Sequence, residues 1–287
     1  MARLDVRKTY KLYVGGKFPR SESGRSYEVL DARGRFWCHA AQGSRKDARD
    51  AVVAARAAFG GWWGATAYNR GQVLYRVAEV MQGRSAQFAE EVARGEGLTA
   101  RRAQAVVDAA IDRWVWYAGW TDKLPSVLGG ANAVAGPFFN FSVPEPTGVV
   151  AVLAPQESSL LGLVSVLAPV VATGCTAVLV ASEARPVPAV TLAEVLATSD
   201  VPGGVVNLLT GSAAEIAPWL ASHRDVNALD LAGITDRTLA RDLAVAAADN
   251  VKRVRTPEPD ADWSTDPGLS RLRAVLETKT VWHPVGV

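Results

Sequence analysis

The chain has few residues that bind metals or form cross-links. Among its 287 residues are two cysteines, Cys38 and Cys175, and three histidines, His39, His223 and His283. Two thiols cannot build a disulfide scaffold or a Cys-rich metal site, so no metal centre is expected. An excess of one charge is also lacking. Against 31 Lys and Arg stand 29 Asp and Glu, a net charge of +2. No strong field draws DNA, RNA or an anionic membrane surface. The opening Met1-Ala2-Arg3-Leu4-Asp5 has no apolar core of a secretory signal. These absences lead to the expectation of a reduced, cytoplasmic compartment.

Long apolar runs are limited to one. Leu160 to Ala181 carries no charge and is long enough to span a bilayer. Pro169 and Thr173-Gly174-Cys175 interrupt it, and its second half is β-rich. A buried helix, a turn and a buried strand of a parallel sheet read the same way. No membrane span is expected.

What remains is an ordinary globular composition, 49% apolar and 21% charged. Tyr13 to Phe18 holds Gly15-Gly16 between short apolar stretches, a hairpin signal. Tyr27 to Leu30 and Phe36 to Ala40 read as strands. Ser44 with Asp47 is a capping pattern, and Ala51, Val52, Ala55 and Phe59 behind it keep helical spacing. A second helix carries Val73, Leu74, Val77, Val80 and Met81. A third, from near Thr99, carries Val106, Val107, Ala110, Trp114 and Tyr117. Leu124 to Val143, with Gly129-Gly130, Gly136-Pro137 and an alternating Phe139 to Val143, reads as a projecting pair of strands. From Val149 to Val254 short apolar runs alternate with single helices. Such strands need crossovers, which predicts a doubly wound, Rossmann-like parallel sheet in an α/β fold. Ligands then belong at the carboxyl ends of the strands. Thr256 to Pro267, with three prolines and four acidic residues, reads as a linker. The predicted organisation is an N-terminal hairpin and helices (1–123), a β arm (124–143), a Rossmann-like domain (144–255), a linker (256–272) and a C-terminal strand (273–287).

Five segments in order resemble the aldehyde dehydrogenase superfamily. They are Leu12 to Phe18, Ala57-Ala58-Phe59 with Trp62, Val143 to Val150, Pro202 to Asn207 with Thr210-Gly211, and Lys279-Thr280-Val281-Trp282. The resemblance covers nearly the whole chain. It implies a dinucleotide-binding fold, a projecting oligomerisation arm and NAD as the candidate cofactor.

The departures bear on chemistry. In the family's Pro-Trp-Asn-Phe-Pro turn, the Asn donates to the developing oxyanion. Here the turn reads Pro155-Gln156-Glu157-Ser158-Ser159, and a carboxylate at Glu157 opposes that charge. The family's Lys-Pro-Ser-Glu at the adenosine ribose reads Val180-Ala181-Ser182-Glu183. Its Phe-Thr-Gly-Ser-Thr turn at the pyrophosphate reads Leu231-Ala232-Gly233-Ile234-Thr235. The resemblance thus leaves Ser182, Glu183, Gly211, Gly233 and Thr235 as a vestigial cofactor site. Loss of the Lys and the hydroxyl removes about 3–6 kcal/mol of hydrogen bonding. That suffices to turn a micromolar site into a millimolar one. No cofactor is expected to bind tightly. After Val254 the family continues with a Glu-Leu-Gly-Gly strand and a domain bearing the nucleophilic Cys, and neither follows here. The arrangement most resembles the C-terminal pseudo-domain of the family 16 aldehyde dehydrogenases.

Other candidates have plainer explanations. Cys175 lies at a turn into an apolar strand with no His near it in sequence, and reads as structural, as does Cys38. His39 and His283 sit beside Trp residues in strands, and His223 follows a helix. Ser158 and Ser159 lack the Gly-x-Ser-x-Gly elbow and a His base, so they read as helix-capping residues. Lys252 to Arg255 reads as a solvated sheet edge. No catalytic residue is expected. The resulting reading is a truncated, non-catalytic aldehyde dehydrogenase-like subunit. It would form homo-oligomers, or hetero-oligomers with a full-length aldehyde dehydrogenase that it supports or regulates. The alternative is an NAD-dependent oxidoreductase subunit active only in complex.

Overall fold

The computed structural model describes residues 8–286. The Met1 to Asp5 opening and Val287 lie outside the described residues. Strands β1 (Thr9–Tyr10), β2 (Ser26–Leu30) and β3 (Phe36–Ala41) form a small sheet in the order β1-β3-β2. Between β1 and β2, Val14 and Lys17 face each other across Gly15 and Gly16. Both glycines are left-handed, at φ +60° and +79°, as a two-residue hairpin turn requires.

Helix α1 (Arg45–Gly64) begins with a complete capping box between Ser44 and Asp47. Asp47 also accepts from Ser21 Oγ at 2.7 Å, tying the hairpin loop to the helix. Helices α2 (Ala67–Gly83), α3 (Ser85–Glu96) and α4 (Ala100–Ala118) follow. The spacing predicted α2 and, from Thr99, α4, whose N-terminus Thr99 does cap. It did not predict α3, where Phe88 and Val92 are the large apolar residues buried.

The arm also departs from expectation. It opens with a short helix, α5 (Leu124–Leu128), before β4 (Gly130–Asn132) and β5 (Phe138–Pro146). The strand therefore runs three residues past Val143. Gly129 ends α5, where an added Cβ would lie 2.4 Å from Pro125 O.

The remaining elements alternate. They are β6 (Val149–Leu153), α6 (Leu161–Ala172), β7 (Thr176–Val180), α7 (Val187–Leu196), β8 (Val206–Leu209), α8 (Ala213–Ser222), β9 (Ala228–Asp230), α9 (Arg237–Ala248) and β10 (Arg253–Arg255). The five strands pair in parallel in the order β10-β9-β6-β7-β8. The sheet is doubly wound, as predicted, and its direction of winding reverses between β6 and β9. Every residue of β6 and β7 is buried, as expected of strands covered on both faces. The charge-free Leu160 to Ala181 run is α6, a turn and β7. Among the described residues no helix is long and apolar enough to cross a membrane.

The chain then crosses residues 256–269 to α10 (Ser270–Ala274) and β11 (Leu276–Pro284). β11 pairs antiparallel with β5 over nine residues, from Leu276 opposite Pro146 to Pro284 opposite Phe138. Within the predicted 273–287 segment the strand is Leu276–Pro284, and its partner is the arm of its own chain. The Pro-rich segment is docked onto the domain. Arg113 Nη2 donates to Trp263 O (2.8 Å) and Thr265 O (3.0 Å), and Arg271 lies over the Trp263 ring at 4.9 Å.

Candidate functional site

The strand carboxyl ends bring together the turns after β6, β7, β8 and β9, where this sheet class binds ligands. The β6 turn centres on Gln156. Its side chain donates to Ala154 O at 2.9 Å and accepts the Glu183 N–H at 3.0 Å. Its carbonyl accepts from Ser182 Oγ at 2.8 Å. The first two turns are thereby stitched to each other. Arg185 tightens the stitch. Its Nη1 donates to Glu157 O at 2.9 Å and to Glu157 Oε2 at 2.5 Å. The Glu157 carboxylate is 85% exposed, on the solvent side of the turn. Neither Gln156 nor Arg185 was singled out from the sequence. Nothing in their spacing shows that the two turns fold onto each other.

Ser158 acts as a cap, its Oγ accepting the Gly162 N–H at 2.9 Å. Ser159 does not. Its N–H and Oγ both donate to Glu96 Oε1 at 2.7 Å, which joins α3 to the β6 turn. With its hydroxyl proton given to the carboxylate, Ser159 is held toward α3 and makes no capping bond to α6.

The vestigial set is dispersed over these turns. Ser182 is buried and engaged with Gln156, while the Glu183 side chain is exposed. Tyr27 stands nearby, its phenol pushed up by burial and by the charge of Glu183. Gly211 has φ +117° and lies against Gly43 and Gln42, where Gly43 N donates to Thr210 O at 2.8 Å. Gly233 crosses the β6 turn so closely that an added Cβ would sit 1.8 Å from Ala154 O. Ile234 is buried in the core and Thr235 is exposed. Val180 is buried at the end of β7. A groove of about 620 Å³ runs beside this cluster, with Tyr27, Gln156, Glu183 and Arg185 in its wall.

Gly233 therefore has a packing reason to be glycine, independent of any ligand. Gly233→Ala is expected to destabilise by about 1–3 kcal/mol, because backbone must shift to admit the methyl. Thr235→Ala on the exposed side of the same turn stays within about 0.5 kcal/mol. Urea unfolding of both variants checks this, and equal effects would refute it.

The cysteines are enclosed. Cys175 is fully buried, its Sγ donates to Val275 O at 3.3 Å, and burial raises its pKa. Cys38 is buried in β3 and pushed up to about 11, chiefly by burial. Both environments favour the thiol over the nucleophilic thiolate.

The fold and the ligand end of its sheet define a dinucleotide-binding type of α/β protein. The model of the aldehyde dehydrogenase family matches residues 18–256, and the chain belongs to that family. It is 33% identical over 248 residues to the Arabidopsis thaliana "Aldehyde dehydrogenase family 2 member B4, mitochondrial", covering 85% of this chain and 45% of that one. It is 31% identical over 264 residues to the Mus musculus "Cytosolic 10-formyltetrahydrofolate dehydrogenase", covering 88% and 28%. Among solved structures, an NAD-dependent aldehyde dehydrogenase from Sinorhizobium meliloti superposes with a TM-score of 0.81 at 26% identity. That match covers 87% of this chain and 50% of the other. The chain spans about half, or less, of the length of the relatives it matches.

Proposed function

We propose that the chain is a non-catalytic aldehyde dehydrogenase-like subunit that associates with an active aldehyde dehydrogenase and supports or regulates it. The observation that carries this reading is the short path from β10 to β11. Only residues 256–275 separate the last parallel strand from the strand that completes the arm. A domain bearing a nucleophile has no room in that interval. The residues at the strand ends support the same reading. Glu157 stands where the family's oxyanion donor would be, with Arg185 engaged by its carboxylate. Gln156 bridges the two turns, and Val180 and Ile234 are turned into the core. These side chains do not fit a tightly held dinucleotide, and NAD is expected to bind no tighter than about millimolar.

The arm supplies the surface for association. Trp282 and Phe139 are 58% and 52% exposed, and the outer edge of β11 is free of strand partners among the described residues. Free edges and exposed aromatics suit strand addition by a second chain. The reading covers a copy of this chain or a full-length relative as the partner.

The test is co-expression with a full-length aldehyde dehydrogenase from the same genome. Affinity capture of this chain should recover that enzyme, and Trp282→Ala with Phe139→Ala should weaken capture at least tenfold. The isolated chain should form no NADH from an aldehyde panel. Low-micromolar NAD affinity by calorimetry, with NADH formation only in the complex, would instead favour an oxidoreductase subunit that contributes its own cofactor site.

A further inference from the structure

Helix α4 packs against α2, α3 and α6, and its remaining side is open. Arg101, Ala105, Asp108, Asp112 and Val115 lie exposed along that side. They recur at alternating intervals of four and three, the spacing of a seam that can run along another helix. Any half-buried helix shows such a stripe to solvent. The charges on this one are what need a cause.

Thr99 caps α4, its Oγ1 accepting the Arg102 N–H at 3.4 Å. Arg102 is thus the third helical residue, where an acid would close a capping box and suit the positive end of the helix dipole. The first turn holds no acid; it holds Arg101 and Arg102 instead. Further along, Asp108 and Asp112 stand four apart, the separation at which like charges on a helix oppose each other. The last turn holds no base to balance them. Gln104 Nε2 donates to Asp108 Oδ1 at 2.7 Å. Arg101, Arg102 and Asp112 have no ion pair among the described residues. The charges of α4 therefore run against the preferences of the helix that carries them, with no compensation inside the chain, and such local conflicts concentrate at functional surfaces.

We propose that α4 pairs antiparallel with the α4 of a second copy of this chain, about a two-fold axis passing between Val106 and Val107. Arg101 of each copy then lies opposite Asp112 of the other, and Ala105 lies opposite Asp108. The small Ala105 keeps the seam low where the helices meet. Val115, 40% exposed, falls opposite the half-buried Leu98, which gives each end of the contact an apolar pair. The two-fold makes the contact isologous, so one sequence supplies both halves. A parallel pairing would set Arg101 on Arg101 and Asp112 on Asp112. A partner of uniform charge, a nucleic acid or an acidic peptide, would be attracted at one end of the stripe and repelled at the other. Only a surface with the same two charges in reverse order satisfies both ends, and this face is such a surface.

Sedimentation equilibrium of the full chain tests this, with Trp282→Ala and Phe139→Ala present so that the arm is removed as a source of association. The chain should show a monomer–dimer equilibrium at low salt, weakened at least tenfold in about 0.5 M salt because exposed charges are screened. Arg101→Glu and Asp112→Lys should each weaken self-association at least tenfold, since each sets like charges across the two-fold. An equimolar mixture of the two variants should dimerise as the parent does, because each supplies the charge the other lacks. Both substitutions favour their own helix, an acid in the first turn and an Asp108–Lys pair four apart. A lost dimer therefore cannot come from a weakened fold. A monomer at low salt would overturn the proposal and leave this face to a different protein. So would single variants that associate like the parent, or a mixture that fails to restore the dimer.

Discussion

Arg271→Ala is expected to destabilise the protein by about 3–5 kcal/mol. Asp230 is the reason. Its carboxylate ends β9 in a buried position, where burial pushes its pKa up and the Arg271 guanidinium is the largest influence pulling it back. One oxygen accepts the Ala232 N–H at 3.0 Å and the other accepts Arg271 Nη1 at 2.6 Å. The pair is almost sealed, with side chains 7% and 9% exposed. Removing the guanidinium leaves a carboxylate in the interior with no cation in contact. It also releases Glu258 from one of its two arginines and Trp263 from its stacking partner. The cost lies mainly in the stranded charge, so removing both charges should restore stability. Arg271→Met combined with Asp230→Leu is expected to recover most of the loss, because buried pairs often exchange with apolar residues at little net cost. Urea unfolding of the single and double variants measures both. A single-variant effect under about 1 kcal/mol would mean that residues 256–275 are held in place by other contacts.

That network marks the boundary of what the sequence makes legible. The parallel sheet could be read because β6 and β7, Val149–Leu153 and Thr176–Val180, are apolar at nearly every position, as doubly covered strands must be. The α1 start was legible because a capping box is local chemistry between Ser44 and Asp47. Helix α3 was not, because Ser85–Glu96 offers only Phe88 and Val92 as large buried apolar residues. Residues 256–269 read as a linker because their prolines and acids are linker-like. What docks them is Arg113, about 150 positions earlier in the chain, and no local pattern carries that partnership. The turns at the strand carboxyl ends divide in the same way. Val180 and Ile234 announce lost donors by their identity alone. The Gln156 and Arg185 stitch depends on two turns meeting in space, so it became visible only in the structure.

The second large effect concerns pH and one carboxyl group in the α3–α7 interface. Glu91 is 7% exposed. Its Oε1 accepts from Gln87 Nε2 and Thr191 Oγ1, both at 2.9 Å, while its buried Oε2 has no partner among the described residues. Burial raises its pKa from 4.5 to about 7. The Gln87 and Thr191 hydrogen bonds and the charge of Arg84 pull it down, and Glu194 pushes it up. The raised folded-state value fixes the sign. Below the unfolded pKa both states hold the proton, and the contribution of Glu91 to stability is complete. As pH rises through about 7 the unfolded chain has already ionised, and the folded state must either hold its proton or bury a charge. Stability on the order of 3 kcal/mol is lost across that interval. Glu91→Gln keeps an acceptor for Gln87 and Thr191 and cannot ionise. At pH 8 it should therefore melt several degrees above the wild type, at about 2–4 °C per kcal/mol for a chain of this size. At pH 5 the gap should shrink to about 1 kcal/mol, because the folded state still holds its proton while the unfolded chain is only partly ionised. Thermal melts of both proteins at pH 5, 6.5 and 8 decide the matter. Parallel curves would mean that Glu91 reaches water in the folded state and titrates as an ordinary carboxylate.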